Sequence, residues 1–180
     1  WYYMSMLESI IGLDVAVEQY FNSHNIPFFT ALFRLITEFG SVAVVGIVVL
    51  FVVYFLWIKN RALVKYFIMI IVLNEAVVYF LKNIIGRLRP FGALKYHEFD
   101  ASMPSGHAAI SLLLYGYICY LLVIYCRKCS SKNLIIATLA VFIGLIGFSR
   151  LYLGVHYLSD VLAGYLIGGA FLCYLVLVSG

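Results

Sequence analysis

Charge is what this sequence has least of. Of its 180 residues 12 are Lys or Arg and 8 are Asp or Glu, 11% together, against 65% hydrophobic and 17% aromatic, with a mean hydropathy of +1.05. Soluble domains carry about 25% charged residues, so a water-soluble globular fold is excluded. Internal repeats and low-complexity tracts are absent, as is a cleavable leader with a charged n-region and a small-residue cleavage site. The chain begins at Trp1 rather than at methionine, which raises the expectation of an upstream segment. Cysteine is also sparse. Cys119 and Cys173 fall in apolar stretches, and Cys126 and Cys129 form a C-x-x-C with too few neighbouring ligands for zinc and, on the cytoplasmic side, surroundings too reducing for a disulfide.

What the sequence has in abundance is apolar runs of membrane length. A hydrocarbon core of about 30 Å needs roughly 20 apolar residues per helix, and five stretches meet that requirement, near 40–58, 62–81, 107–125, 133–152 and 157–178. They leave no room for a separate soluble domain. The expected fold is all-α: one domain over 1–180, a polytopic bundle of five transmembrane spans over 39–178, preceded by amphipathic interfacial helices over 1–38. In that leading segment Met6, Ile10, Leu13, Val17 and Phe21 recur at helical spacing with Glu8, Asp14 and Glu18 between them, the pattern of a helix lying on the bilayer surface. Pro27 starts a second short helix reaching Glu38, and Gly40 opens the first crossing.

The net charge of +4 matters less than its placement, and no nucleic-acid partner is expected. Lys59, Arg61 and Lys65 lie between spans one and two, Arg127, Lys128 and Lys132 between spans three and four, with no acid in either group. Those loops read as cytoplasmic. The opposite side carries as many cations, Arg34, Lys82, Arg87, Arg89, Lys95 and Arg150, but with seven of the eight acids. Most of these cations belong to motifs in which function explains them. The active face is therefore expected outside the cytoplasm.

Polar groups at membrane depth are candidates for function because hydrocarbon makes them costly. Glu75 and Lys82 are seven residues apart and share a helix face pointing toward the outer mouth; pairing with a neighbouring helix or protonation by burial accounts equally for Glu75. The one long polar connection, about 86–103, ends in Pro104-Ser105-Gly106-His107 just before an apolar run. A helix start of this kind presents unpaired amides and the positive end of the helix dipole, and Gly106 admits close approach of a ligand oxygen. Further on, Ser149 and Arg150 end the fourth span, and His156 and Asp160 stand one helical turn apart at the start of the fifth. A carboxylate there orients one imidazole nitrogen and leaves the other free. Alternating topology puts all these groups at one membrane face, where three cations, a helix N-terminus and two imidazoles make a phosphate site with a nucleophile and an acid. Arg87 and Lys95 read as a solvated loop face.

Three segments carry a resemblance to a known family. Lys82, six residues, Arg89-Pro90; Pro104-Ser105-Gly106-His107; and Ser149-Arg150, five residues, His156, three residues, Asp160 resemble the type 2 phosphatidic acid phosphatase superfamily of membrane lipid phosphatases in order and spacing. The resemblance implies hydrolysis of a lipid phosphomonoester or diphosphate without metal or other cofactor. His156 would be the nucleophile, Asp160 its orienter and His107 the acid, with Lys82, Arg89, Arg150, Ser105 and Gly106 holding the phosphoryl oxygens. Its small bacterial members imply undecaprenyl diphosphate or phosphatidylglycerol phosphate as substrate, with phosphatidic acid a third candidate, in the bacterial inner membrane. Many bacterial members resemble a six-span pattern; here five are counted, so either a preceding span lies outside this sequence or the N-terminal helix replaces it. Two rival readings are a haloperoxidase-like relative, disfavoured by the five spans, and a non-catalytic protein that binds or transports anionic lipid, disfavoured by the His156–Asp160 pair. Oligomeric state is not legible.

Overall fold

The computed structural model of the chain describes residues 2–126, 128 and 130–180. Among them are seven α-helices: α1 (Tyr2–Ser23), α2 (Pro27–Glu38), α3 (Val42–Lys59), α4 (Arg61–Ile85), α5 (Gly106–Tyr125), α6 (Lys132–Tyr152) and α7 (Leu158–Ser179), with a short 3-10 helix at Phe91–Tyr96 in the connection after α4. Helices α3 to α7 are long and apolar enough to cross a membrane. They match the five expected spans within a few residues at each end. The largest difference is α4, which continues to Ile85 and stops only where Gly86 adopts a left-handed conformation (φ +60°) and its N–H caps the Lys82 carbonyl. Lys82 therefore stands in the last turn of a helix rather than in the loop beyond it. As expected from Pro27, α2 starts there, its missing N–H being one that a first turn leaves unpaired. Cys126 is a free thiol, whereas Cys129 of the C-x-x-C lies outside the described residues.

Leu50, Phe51, Phe80, Leu166 and Leu177 face outward from the bundle, as lipid-facing helices require, while Leu56, Phe67, Ile70, Leu113, Leu114, Tyr117 and Leu175 fill its centre. Helix α5 is the hub and packs against α3, α4, α6 and α7. Its tightest neighbour is α7. A Cβ built on Gly164 would lie 2.4 Å from the Ser105 carbonyl oxygen, and one on Gly168 2.1 Å from that of Ala109. Lipid offers no hydrophobic drive for helices to associate, so backbone contact across small residues is what fixes such a crossing. The Ser105 N–H also donates to the Asp160 carbonyl at 3.0 Å. The start of α5 and the start of α7, which hold two of the three motifs, are thereby pinned to each other.

Helices α1 and α2 pack over the α6 end of the bundle through Phe21, Phe33 and Tyr152. The orientation of α1 differs from the sequence reading. Asp14 is buried at 2% exposure, whereas Ile10, Ile11, Leu13 and Val15 are exposed. Asp14 points into the protein, where it has an ionic partner on the bundle, and these four apolar side chains point out.

Replacing Gly168 by Leu is expected to abolish the α5–α7 crossing, since the Ala109 backbone has nowhere to go. Size-exclusion and thermal unfolding in detergent should show loss of folded protein, while Gly144→Ala in α6, with nothing within 4 Å of the new methyl, should behave as the parent.

Candidate active site

One end of the bundle gathers the ends of four helices. The last turn of α4 supplies Lys82, the start of α5 supplies Ser105, Gly106 and His107, the end of α6 supplies Arg150, and His156 and Asp160 flank the start of α7. Arg89 arrives from the connection after α4. A cavity of about 840 Å³ has Lys82, Arg89, Gly106, His107 and His156 in its wall. A second, of about 470 Å³, contains Arg150 and shares His107 and Glu98 with the first. All eight residues expected to form the site thus lie at the same end of the molecule. Room for His107 depends on Gly40 ahead of α3, where any Cβ would sit 2.7 Å from the imidazole ring.

His156 is 3% exposed. Its Nε2 lies 3.0 Å from Arg89 Nη1, which also donates to the Val155 carbonyl at 3.0 Å. A guanidinium only donates, so Nε2 carries the lone pair and the proton of the neutral ring sits on Nδ1. That Nδ1 faces the Asp160 carboxylate at 3.5 Å, in line with the i, i+4 spacing but longer than a hydrogen bond. Burial first, then the cations Arg150, Arg89 and Lys82, hold the His156 imidazole well below its ordinary pKa. The ring is neutral at pH 7, with its lone pair turned toward the cationic end of the cavity.

The three cations are themselves paired. Glu98 bridges Arg89 and Arg150 with its two carboxylate oxygens. Asp100 bridges Arg89 and Lys82, each at 2.6 Å. Burial alone would raise the Asp100 carboxyl, but the Lys82 hydrogen bond and the Arg89 charge pull it down to about 2. Arg150 also donates to Thr37 of α2 at 2.9 Å. Neither Glu98 nor Asp100 was singled out in the sequence. They belong to a loop whose length is functional in character, but nothing in their spacing shows which cations they meet.

Even so, the site retains unsatisfied polar atoms. Ser105 Oγ, Arg150 Nε and His156 Nδ1 are buried without a hydrogen-bond partner, a costly state outside a binding site. Together with the unpaired first amides of α5 they define an oxyanion cup: donors and cations on one side, a neutral imidazole and a second imidazole in the same wall.

Arg87 departs from the sequence reading. Rather than lining a solvated loop, it donates to Asp160 Oδ1 at 2.8 Å, to Asp14 Oδ2 at 2.7 Å and to Ser159 Oγ at 2.6 Å, with its guanidinium 4.2 Å from the centre of the Tyr157 ring. Burial works against its charge, but Asp14 and Asp160 more than offset this and raise its pKa above the ordinary value. Glu75, in contrast, is met by its own chain neighbour, Asn74 Nδ2 at 3.0 Å, and shares the larger cavity with Lys82.

Fold and site together define an integral membrane helical bundle with an oxyanion cup at one end. Residues 62–180 match the PAP2 superfamily model, and the chain belongs to that superfamily. Among characterised relatives it is similar to phosphatidylglycerophosphatase B of Bacillus subtilis (40% identity over 49% of this chain and 44% of the relative) and to the bacitracin transport permease protein BcrC of Bacillus licheniformis (31%, 61% and 52%). It thus spans about half the length of these two. It is also similar to an undecaprenyl-diphosphatase of Sulfolobus acidocaldarius, at 30% identity over 93% of this chain and 86% of the relative. Of solved structures, the transmembrane PAP2 type phosphatidylglycerolphosphate phosphatase of Bacillus subtilis superposes with a TM-score of 0.84 at 25% identity, covering 93% of this chain and 84% of that one. Aquifex aeolicus LpxE superposes with a TM-score of 0.70 at 28% identity, covering 91% and 94%.

Because Glu98 occupies the donors that an anion would use, Glu98→Gln is expected to tighten binding of inorganic phosphate by roughly tenfold, the effect of about 1.4 kcal/mol. Without phosphate the same variant should unfold at lower temperature, because Arg150 is left buried with less compensation; added phosphate should restore more stability than in the parent. Equal phosphate affinity in both proteins would show that Glu98 does not compete for the site.

Proposed function

We propose that this protein is a lipid phosphatase, hydrolysing the phosphomonoester or diphosphate of a lipid headgroup through a phosphohistidine intermediate. The observation that carries the reading is the continuity of the larger cavity. Its head is cationic and holds both imidazoles, and its flank, between α3 and α4, is apolar apart from Glu75, with Val42, Val45, Val49, Ile71 and Val78 in the wall. A lipid can leave its chains in that flank while presenting phosphate to the cup.

In this mechanism the phosphate dianion takes Lys82, Arg89 and Arg150 from Glu98 and Asp100, and the Ser105 hydroxyl and Gly106 amide complete the cup. Movement of Arg89 onto the phosphate frees His156 Nε2, which attacks phosphorus in line. The bond from phosphorus to the leaving oxygen breaks, and His107 donates the proton that this oxygen takes away. Asp160 stabilises the charge that develops on the His156 ring. A water then attacks the phosphohistidine and loses a proton to His107. The P–N bond breaks and phosphate leaves. Charge neutralisation is carried by the three side-chain cations, so the reaction is proposed to need no metal.

The names of the relatives support undecaprenyl diphosphate and phosphatidylglycerol phosphate as leading substrates, with phosphatidic acid third. Helices α1 and α2 are proposed to lie at the membrane surface. Lys59, Arg61, Lys65, Lys128 and Lys132 occupy the end of the bundle remote from the site with no acid among them, which favours a site facing out of the cytoplasm in a bacterial inner membrane.

Purified protein in EDTA is expected to release phosphate from one or more of these lipids, and His156→Ala or His107→Ala to lower kcat by roughly a thousandfold or more. A protein that only held headgroups would lose lipid affinity in these variants and show no phosphate release to begin with.

The profile of kcat/KM against pH should be bell-shaped. Attack needs neutral His156, whose folded pKa is depressed, so activity falls on the acid side only as pH drops below its ordinary value of about 6.5. The basic limb reports the proton on His107. A rate with no basic limb would count against His107 as the acid, and a rate with no acid limb down to the pH at which the protein unfolds would count against His156 as the group that must be neutral.

A further inference from the structure

The mechanism leaves a second ionic cluster without a task. It lies behind His156, on the side away from the cavity, and joins three segments distant in sequence: Asp14 from α1, Arg87 from the connection after α4, and Ser159 and Asp160 from α7. Its carboxylates, the Ser159 hydroxyl and both terminal nitrogens of Arg87 are hydrogen-bonded. Arg87 Nη1 donates to Asp160 Oδ1 and to Ser159 Oγ, and Nη2 donates to Asp14 Oδ2. Ser159 returns two bonds to Asp14, from its N–H to Oδ1 at 2.9 Å and from its hydroxyl to Oδ2 at 2.5 Å. Asp160 Oδ2, the oxygen that faces His156, accepts the Tyr157 N–H at 2.9 Å. Asp160 is fully buried and Asp14 is 2% exposed.

A buried carboxylate beside an imidazole has two effects that must be kept apart. Its position orients the ring, and its charge raises the proton affinity of the ring. Arg87 governs both. By holding Oδ1 it fixes the carboxylate rotamer so that Oδ2 points at Nδ1, and by lying 2.8 Å away it offsets part of the negative charge. Asp14 acts in the opposite sense: it draws the Arg87 guanidinium toward itself and so limits how much of that charge Asp160 receives.

We infer that Arg87 and Asp14 are positioning residues that set the orientation and effective charge of Asp160, and that α1 is by this route part of the support of the nucleophile. The inference rests on the reading of His156 as nucleophile, and its test separates the two. Other charged or titratable groups around His156 are Lys82, Arg89, Glu98, Asp100, His107 and Arg150, and none of them changes in the variants below.

The experiment measures kcat, KM and the pH profile of phosphate release in the full chain, with His156→Ala as control. Arg87→Ala should lower kcat about 10- to 100-fold, the usual range for loss of a group that orients a catalytic one, with KM changed by less than about threefold. It should also move the acid limb of kcat/KM to higher pH, because Asp160 regains charge. Asp14→Asn, which leaves every cation in place, should move the same limb to lower pH, because Arg87 turns more fully onto Asp160. Arg87→Lys should recover part of kcat.

Opposite displacements of the acid limb are what a merely structural role would not produce. Unchanged kcat and an unmoved limb in Asp14→Asn and Arg87→Lys, with or without a lower unfolding temperature, overturn the inference even if Arg87→Ala does not fold. Full activity of His156→Ala overturns the reading of His156 as nucleophile instead, whatever the Arg87 variants do.

Discussion

Three cations drawn into the end of an apolar bundle repel one another, and everything around them answers that repulsion. Lys82, Arg89 and Arg150 are at most 13% exposed in their side chains, so bulk water does little to separate their charges. The protein supplies Glu98 and Asp100, whose four carboxylate oxygens each meet one of these cations. The resting site is therefore only partly neutralised, three cations against two carboxylates, and Ser105 Oγ and Arg150 Nε still lack partners. An anion that also reached these two atoms would use donors that the carboxylates leave free.

The same constraint explains why His156 can remain neutral. An imidazole surrounded by cations and shut away from water disfavours its own protonation, so His156 keeps a lone pair at pH 7 although Asp160 is one turn away. Arg87 and Asp14 extend this balance one layer outward. Charges alternate from the cup to the surface helix: the cations of the cup, then Asp160, then Arg87, then Asp14. Each is buried enough to matter to the next, and none could be left in apolar surroundings alone.

Mechanical support has a different origin. The α5–α7 crossing is set by glycines against backbone and by the Ser105–Asp160 main-chain bond, so the start of α5 and the start of α7 are held as one unit. Gly40 serves His107 in the same way, by giving the ring a surface without a side chain. The flank between α3 and α4 is built from ordinary aliphatic residues and contributes shape rather than chemistry.

Apolar periodicity determined the five crossings, their order and their ends to within a few residues, because hydrocarbon thickness leaves a sequence few alternatives. Motif spacing likewise determined which cations, imidazoles and helix start lie together: Lys82, Ser105 to His107, Arg150 and His156 sit at or beside helix ends, Arg89 follows in the connection after α4, and alternating spans place these on one side. Only tertiary structure decided the rest. Asp14 read as one acid on a surface helix, Arg87 as a loop cation, and Glu98 and Asp100 had no assigned partner, because an ion pair across 73 residues leaves no periodic trace in the chain. Local sequence specifies which groups must avoid lipid; which opposite charge each one meets depends on how the helices pack.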